Sequence, residues 1–316
     1  MTRDTLTLVI PLLAALTSLA CDPAPNVGSD AGAAEDAYSA NDDAGPDAPL
    51  PPTRIPLGTA DRPAELRLPP QHDGTTRLPL FILLHGYSTD SIQQDFYLGF
   101  SRTVRAAGAY SLLPNGTRDA DNNRFWNAGA ACCDYDGVGV DDEAYLMGLI
   151  DAAEAVAPID TTRIYFFGHS NGAFMAHRMA CNHADRIAAI GALAGTEDRD
   201  FSCTPARAIS VLQIHGTADE NVGFDGGDIN GSPYVGSVDM ARRWAMRGGC
   251  SAMPTSGAAF DWDNSVPGTE ATPSTYGGCG AGASVELWTL NGSGHLPFPV
   301  ATGMRTVVDW FLAHHL

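Results

Sequence analysis

Short apolar runs alternate with longer amphipathic stretches from residue 78 to the end of the chain. Each apolar run is followed within two residues by glycine, proline or asparagine, a pattern typical of buried strands. The pattern predicts strands at 78–84, 109–113, 163–167, 209–214 and 284–290. Helices are predicted at 142–157, where apolar positions recur at helical spacing, and at 173–180. This alternation indicates the α/β class, with a mainly parallel central sheet and helices on both faces.

The start of the chain has a different pattern. Residues 6–20 form a largely apolar run that is too short to span a bilayer comfortably and is interrupted by Pro11. We therefore interpret residues 1–20 as a cleaved signal peptide. Cys21 follows a small residue, which resembles the lipobox of bacterial lipoproteins and predicts lipidation of Cys21. Ser18 departs from that pattern, so ordinary secretion remains the alternative.

Residues 21–53 are rich in alanine, aspartate, glycine and proline and contain almost no large apolar side chain. Such a segment cannot bury enough surface to offset the entropy lost on ordering. We expect a disordered acidic tether, followed by one folded domain at 54–316 that acts as a monomer.

Charge excludes several functions. The chain has 316 residues, with 37 acidic and 18 basic side chains and a formal net charge of −19, and every basic residue is arginine. Without lysine there is no P-loop, no Schiff-base chemistry and no protein-kinase site. Nucleic acid is not expected as a partner, because its phosphates need a basic face. We expect membrane contact only through a lipid anchor.

The chain contains seven cysteines. Setting Cys21 aside leaves six, an even number suited to disulfides in an oxidising compartment, so we expect an exported protein. We expect two pairs that each close a loop of moderate length, Cys181 with Cys203 and Cys250 with Cys279. The adjacent Cys132 and Cys133 either pair with each other or cross-pair, which the sequence leaves open.

Residues 168–172 read Gly-His-Ser-Asn-Gly and lie between a predicted strand and a predicted helix. In a strand–turn–helix elbow of this kind, the central serine is strained and its hydroxyl projects above the sheet edge. Gly168 and Gly172 meet the need for small residues where the two backbones nearly touch. The pattern predicts that Ser170 is a nucleophile.

A serine hydroxyl needs a base, and the base needs an acid to orient it. In an elbow fold the chain order is serine, acid, histidine. Asp219 follows the strand at 209–214 and His295 follows the strand at 284–290, so we assign Asp219 as the acid and His295 as the base. Glu220 and Asp225 are the nearest competitors for the acid.

Acyl transfer also needs donors for an oxyanion. We expect these to be the backbone N–H groups of Asn171 and Tyr87, with Gly86 as the alternative to Tyr87. Trp126 lies on a loop at the same predicted sheet edge and is a candidate substrate-binding wall, although a core tryptophan is the competing interpretation.

Carboxylates alternate along residues 134–143, which superficially resembles a calcium loop. The stretch fails the EF-hand pattern, because its glycine comes too early. Asp141 and Asp142 also suit the start of a helix, where carboxylates accept free N–H groups. The other cysteine and histidine spacings do not match a zinc site, and we expect no metal and no cofactor.

Taken in order, the motifs around residues 84–86, 168–172, 215–219 and 294–295 resemble the secreted α/β-hydrolase esterases of the polyhydroxybutyrate depolymerase, feruloyl esterase and acetylxylan esterase type. Further matches are Trp-Asn-Ala-Gly at 126–129, the cysteine pair at 132–133, and Val-Asp-Asp at 140–142. The resemblance spans roughly residues 63–316.

The resemblance implies an α/β-hydrolase fold and a serine carboxylic-ester hydrolase with Ser170, Asp219 and His295 as its triad. It implies an ester substrate, either a feruloyl or acetyl ester of a plant polysaccharide or a polyhydroxyalkanoate-type polyester. One departure concerns specificity: the family follows its histidine with Trp-Pro, whereas Leu296-Pro297-Phe298 stands here. Two alternatives remain open, a serine peptidase on the same fold and a non-catalytic cell-surface lipoprotein that binds glycan or polyester.

Overall fold

A computed structural model describes residues 53–316; the predicted signal peptide, Cys21 and almost all of the predicted tether lie outside the described residues. The strands are β1 (Arg54–Gly58), β2 (Pro63–Arg67), β3 (Leu78–Leu84), β4 (Tyr110–Pro114), β5 (Thr117–Arg118), β6 (Arg124–Phe125), β7 (Ile159–His169), β8 (Ala189–Leu193), β9 (Ser210–Gly216), β10 (Gly226–Ile229), β11 (Ser232–Val235), β12 (Thr255–Ser256), β13 (Ala271–Tyr276) and β14 (Val285–Leu290). The α-helices are α1 (Ser91–Leu98), α2 (Phe100–Ala106), α3 (Asp142–Val156), α4 (Asn171–Asn182), α5 (Ser237–Arg247) and α6 (Gly303–Leu312).

One ten-stranded sheet organises the described residues, in the order β1-β2-β4-β3-β7-β8-β9-β14-β13-β12. The six strands from β4 to β14 pair in parallel, and antiparallel strands extend the sheet at both ends. The expected mainly parallel sheet is therefore confirmed for the centre, while the sheet as a whole is mixed.

The central strands are apolar on both faces because both faces are covered. Along β3, Leu80, Ile82 and Leu84 enter one buried cluster, and Phe81 and Leu83 enter the other. Helices α3, α4 and α5 contribute side chains to the first cluster, and α2 and α6 to the second. Burial of continuous apolar strands between two helical layers is what fixes an open parallel sheet.

Strand β8 was not predicted, and its composition explains why. Its sequence is Ala-Ile-Gly-Ala-Leu, with few of the bulky residues that mark a strand. The small residues suit close packing, since a Cβ on Gly191 would lie 2.7 Å from the Phe167 ring and 2.9 Å from the Phe311 ring. The strand is therefore specified by its neighbours rather than by local propensity.

The two expected disulfides are confirmed: Cys181 is bonded to Cys203 and Cys250 to Cys279. The structure also pairs the adjacent Cys132 and Cys133 with each other, one of the two arrangements that the sequence left open. Between residues 53 and 316, no helix is both long and apolar enough to cross a membrane.

Candidate active site

Three predicted residues lie beyond the carboxyl ends of parallel strands. Ser170 directly follows β7, Asp219 lies three residues after β9, and His295 lies five residues after β14. Carboxyl ends of parallel strands meet at one edge of the sheet, the edge where open α/β sheets form their binding sites. The topology thus brings together side chains that are up to 125 residues apart.

The turn at Ser170 has the strained geometry expected of an elbow. Ser170 has φ 54° and ψ −119°, an uncommon conformation for a residue with a side chain, and α4 begins at the next residue. A Cβ on Gly168 would lie 2.6 Å from the nitrogen of Ala173, and a Cβ on Gly172 would lie 2.7 Å from the carbonyl oxygen of His85. Both glycines are required because strand, turn and helix backbones are in contact there.

Ser170, His295 and Asp219 form one hydrogen-bonded chain. Nε2 of His295 lies 3.0 Å from Oγ of Ser170, and Nδ1 of His295 lies 2.8 Å from Oδ2 of Asp219. The side chain of His295 is 14% exposed and that of Asp219 is fully buried. In this arrangement the imidazole can take a proton from the serine while the carboxylate holds its tautomer.

The Asp219 carboxylate is held by four donors. Its Oδ1 accepts the N–H groups of Asn221 and Val222, both at 2.9 Å. Its Oδ2 lies 3.1 Å from Nε2 of His215 as well as 2.8 Å from His295. Burial alone would raise the pKa of Asp219, but the hydrogen bonds from His215 and His295 outweigh burial and hold it well below its usual range. The acid is therefore an anion throughout the neutral range.

The two competing acids face solvent. Glu220 and Asp225 are both exposed, and neither is among the hydrogen-bond partners of His295 in the described chain. The residue that the sequence reasoning missed is His215. Its signal was present, because it directly follows the predicted strand at 209–214 and stands four residues before Asp219.

The backbone N–H groups of Tyr87 and Asn171 are the expected oxyanion donors. The N–H of Gly86 donates to Oε1 of Gln94 at 3.1 Å, which removes Gly86 from the candidates for the oxyanion donor. Neither Tyr87 nor Asn171, the first residue of α4, has a backbone N–H acceptor among residues 53–316. The first N–H groups of any helix lack an acceptor one turn back, which leaves the Asn171 N–H available to another acceptor.

A model of the Esterase PHB depolymerase family matches residues 64–227, more than half of the chain. The chain belongs to this family. Among solved structures, an acetyl xylan esterase from Aspergillus awamori aligns with TM-score 0.60 and 13% identity over 82% of this chain and 99% of that chain. The carboxylesterase of Bacillus cereus aligns with TM-score 0.52 and 15% identity over 80% and 95% of the two chains. These alignments confirm the α/β-hydrolase fold.

Two curated relatives extend the comparison. Feruloyl esterase B of Piromyces equi is 28% identical over 242 residues, which is 73% of this chain and 42% of that protein. The bifunctional acetylxylan esterase/xylanase XynS20E of Neocallimastix patriciarum is 23% identical over 223 residues, 69% of this chain and 29% of that protein. The chain spans less than half the length of each of these two relatives.

In this PHB depolymerase-family chain, Trp126 is not on the surface, which corrects its assignment as a substrate-binding wall. Trp126 has no exposed area, and its indole N–H donates to the carbonyl oxygen of His85 at 3.0 Å. The side-chain amide of Asn171 makes two hydrogen bonds to the backbone of Trp126. It accepts the Trp126 N–H at 2.7 Å and donates to the Trp126 carbonyl oxygen at 2.9 Å. Trp126 therefore packs behind the elbow and supports it.

His85 braces the loop that carries Tyr87. Nε2 of His85 accepts the N–H of Gly116 at 2.9 Å, so the proton lies on Nδ1, which donates to the carbonyl of Gly86 at 2.7 Å. Burial lowers the pKa of His85 to about 4, so the ring is neutral. The hydroxyl of Tyr87 donates to Asp119 at 2.5 Å and fixes the same loop from outside.

The loop after His295 is anchored through its peptide groups. His169 is neutral because burial lowers its pKa to about 4, and its Nε2–H donates to the His295 carbonyl at 3.0 Å. The Tyr97 hydroxyl donates to the Pro297 carbonyl at 2.5 Å, and the Phe298 N–H donates to Asp263 at 2.9 Å. The position of the imidazole thus depends on side chains from β7, α1 and the loop before β13.

The departure from the family's Trp-Pro pair places apolar side chains at the rim. Leu296 is 55% exposed and Phe298 is 54% exposed, and both belong to the loop that directly follows His295. The Phe298 ring packs edge-on against Tyr97 with centroids 5.6 Å apart. The rim next to the imidazole is therefore apolar and partly aromatic.

The acidic stretch at 134–143 is accounted for by helix capping and an ion pair. Asp141 accepts the N–H of Ala144 at 2.9 Å and begins α3, as the helix-start interpretation predicted. Asp142 is buried, pairs with Arg62 and accepts the N–H of Asn127 at 2.6 Å. Within residues 53–316 no group of three or more histidine, cysteine, aspartate or glutamate side chains could hold a metal ion.

Proposed function

We propose that this chain is a serine carboxylic-ester hydrolase in which Ser170 is the nucleophile, His295 the general base and Asp219 the orienting acid. The observation that carries the proposal is the position of the His295 ring, 3.0 Å from the Ser170 oxygen and 2.8 Å from the Asp219 carboxylate. Membership of an esterase family supports the same reaction class.

The reaction follows from these contacts. His295 takes the Ser170 proton as the serine oxygen attacks the ester carbonyl, and the N–H groups of Asn171 and Tyr87 stabilise the oxyanion. The tetrahedral intermediate collapses, the alkoxide leaves with the proton from His295, and the acyl group stays on Ser170. Water then attacks the acyl-enzyme with the same base, which releases the carboxylic acid.

For the substrate, we propose an ester linked to a plant polysaccharide, with a feruloyl or acetyl acyl group, and a polyhydroxyalkanoate-type polyester as the alternative. A feruloyl esterase and an acetylxylan esterase among the relatives support the first substrate class, and membership of the PHB depolymerase family supports the alternative. The exposed Leu296 and Phe298 beside the base favour an apolar or aromatic group at that end of the site.

The test uses residues 54–316 as purified protein. Hydrolysis of p-nitrophenyl acetate, p-nitrophenyl butyrate and methyl ferulate is followed for the wild type, Ser170→Ala and, as a matched control, Ser88→Ala. We expect turnover that Ser170→Ala abolishes and Ser88→Ala keeps, and a fluorophosphonate probe attached to the peptide that contains Ser170. Faster hydrolysis of methyl ferulate than of the acetate supports an aromatic acyl group.

Two results contradict the proposal. If the wild type is no faster than Ser170→Ala on all three esters and the probe leaves Ser170 unlabelled, the protein is a binding protein that keeps the fold. If the probe labels Ser170 but only peptide amides are cleaved, the peptidase alternative is correct.

We also propose that the protein is exported as a monomer and anchored through a lipid on Cys21. Three disulfides support an oxidising compartment. Metabolic labelling with an alkyne fatty acid should modify the full chain and not Cys21→Ala. Release of unlabelled wild type into the medium would instead establish ordinary secretion.

A further inference from the structure

His215 is a buried imidazole that the reaction above does not use. It lies in β9 with no exposed surface, between the Asp219 carboxylate and the hydroxyl of Ser237. Ser237 is the first residue of α5 and is also fully buried. Buried polar side chains are normally retained for a structural or a chemical role, so the position of His215 and Ser237 beside the Asp219 carboxylate calls for an explanation.

The hydrogen bonds fix the tautomer of His215. Its Nε2 faces two acceptors, Oδ2 of Asp219 at 3.1 Å and the carbonyl oxygen of Val222 at 2.8 Å, so Nε2 carries the proton. Its Nδ1 then accepts from the Ser237 hydroxyl, 2.5 Å away. Ser237 is itself held, because its N–H donates to the carbonyl of Phe224 at 2.8 Å.

The consequence concerns one oxygen of the carboxylate. Backbone N–H groups of Asn221 and Val222 hold Oδ1 of Asp219, while Oδ2 receives two imidazole donors, His215 from inside and His295 from the site. His215 approaches Oδ2 from the core, which prevents the carboxylate from turning that oxygen away from His295. It also stabilises the charged form of Asp219 at the moment when His295 is protonated.

We propose that His215 is a positioning residue for ester hydrolysis, with Ser237 setting its tautomer, so that Ser237, His215, Asp219, His295 and Ser170 form one continuous chain of hydrogen bonds. This inference rests on the function proposed above. His215 does not touch substrate, and its effect on the reaction passes through Asp219 alone.

The test compares kcat and KM of His215→Leu, His215→Gln and Ser237→Ala on p-nitrophenyl acetate. His215→Leu keeps the volume but removes the donor, and kcat should fall about 10-fold to 100-fold, the kinetic equivalent of one hydrogen bond to a charged group, with KM unchanged. His215→Gln can donate from a similar position and should recover most of the loss. Ser237→Ala should lower kcat by about 3-fold to 10-fold, since it removes one neutral hydrogen bond.

The deciding readout is a double-mutant cycle with Asp219→Asn. If His215 acts only through Asp219, then His215→Leu should cost less than about 3-fold in the Asp219→Asn background. The matched control is His177→Leu. His177 is equally buried, accepts from the Trp244 indole at 3.0 Å and donates to Gln213 at 3.0 Å, so its loss should lower the unfolding temperature and leave kcat unchanged.

The inference is overturned if His215→Leu keeps the wild-type kcat, or if its effect multiplies fully with that of Asp219→Asn. If His215→Leu does not fold, Ser237→Ala decides, and an unchanged kcat in that variant overturns the inference. Failure of the proposed function is separate, since it requires Ser170→Ala to retain wild-type turnover.

Discussion

Gly172→Ala tests the geometry of the elbow by adding a single methyl group to it. The change is chemically small, and alanine is the better helix former at this position, the second residue of α4. The new Cβ, however, would point at the end of β3. It would lie 2.6 Å from the Leu84 carbonyl carbon and 2.7 Å from the His85 carbonyl oxygen.

The structure sets the size of the effect. Ordinary van der Waals contact begins near 3.4 Å, and the Leu84 carbonyl oxygen would lie even closer to the new Cβ than the Leu84 carbonyl carbon does, so the elbow and β3 must separate by about 1 Å. Neither side can yield through a side-chain rotation, because every close atom belongs to the backbone at the end of β3 or of the residue that follows it. We expect about 2–3 kcal/mol of lost stability, the upper range for an overpacked site. Displacement of Ser170 and the Asn171 N–H by that distance should lower kcat about 100-fold.

The assay measures the free energy of unfolding in urea and kcat on p-nitrophenyl acetate. Gly148→Ala is the matched control, because Gly148 lies inside α3 and an added Cβ there would meet no atom within 4 Å. That variant should be more stable by about 0.5–1 kcal/mol and keep the wild-type kcat. The two glycine-to-alanine changes therefore have opposite signs in stability.

A Gly172→Ala protein that is as stable and as active as the wild type would refute the role assigned to Gly172 in the elbow. A stable variant with unchanged kcat would mean that the strand and the turn can part without moving Ser170. A loss of stability with full kcat would mean that the elbow geometry is restored once the chain folds.

Three further changes follow from the structure. Asp219→Asn should lower kcat by about 10³-fold to 10⁴-fold with little change in KM, because the amide favours the wrong tautomer of His295. Initial rates on p-nitrophenyl acetate measure this, and a loss of kcat below tenfold would contradict it. Replacing Cys181 and Cys203 together by alanine should lower the free energy of unfolding by about 3 kcal/mol, since the disulfide closes a loop with a sequence separation of 22 residues. Urea unfolding measures this loss, and an unchanged midpoint would refute it. Stability should fall as the pH drops from about 6.5 toward 4, because burial lowers the pKa of three imidazoles and the unfolded chain then binds more protons. These are His85 with a pKa of about 4, His169 with about 4 and His177 with about 3. Each should contribute about 2 kcal/mol to the loss at pH 5, so His177→Leu should show a shallower dependence, and a parallel curve would contradict the assignment.

The sequence was sufficient for the parts of the site that are encoded locally. The elbow is a contiguous strand, turn and helix, and its two glycines mark the close approach of backbones. Asp219 and His295 could be assigned because each follows a predicted strand in the required order. Their meeting needed only the rule that parallel strands end at one edge of the sheet.

The remaining features depend on contacts between distant segments. Ser237 stands 22 residues after His215 at the start of a helix that was not predicted, so nothing local connects the two. The sequence placed Trp126 at the same edge of the sheet as Ser170, but the direction of its side chain is decided by hydrogen bonds with Asn171 and His85. Strand β8 is specified by the aromatic rings that pack on Gly191, and scales of strand propensity do not describe such contacts between distant residues.

The loop that carries His295 has a consequence for protein engineering. It is held by the His295 carbonyl, the Pro297 carbonyl and the Phe298 N–H, and the Leu296 side chain takes part in none of these bonds. The Phe298 ring, in contrast, packs against Tyr97, the donor to the Pro297 carbonyl. Position 296 can therefore be randomised without removing any bond that anchors the loop, while position 298 should keep an aromatic residue that packs on Tyr97. Variants selected at position 296 could differ in ester preference without a change in the contacts that hold His295 in place.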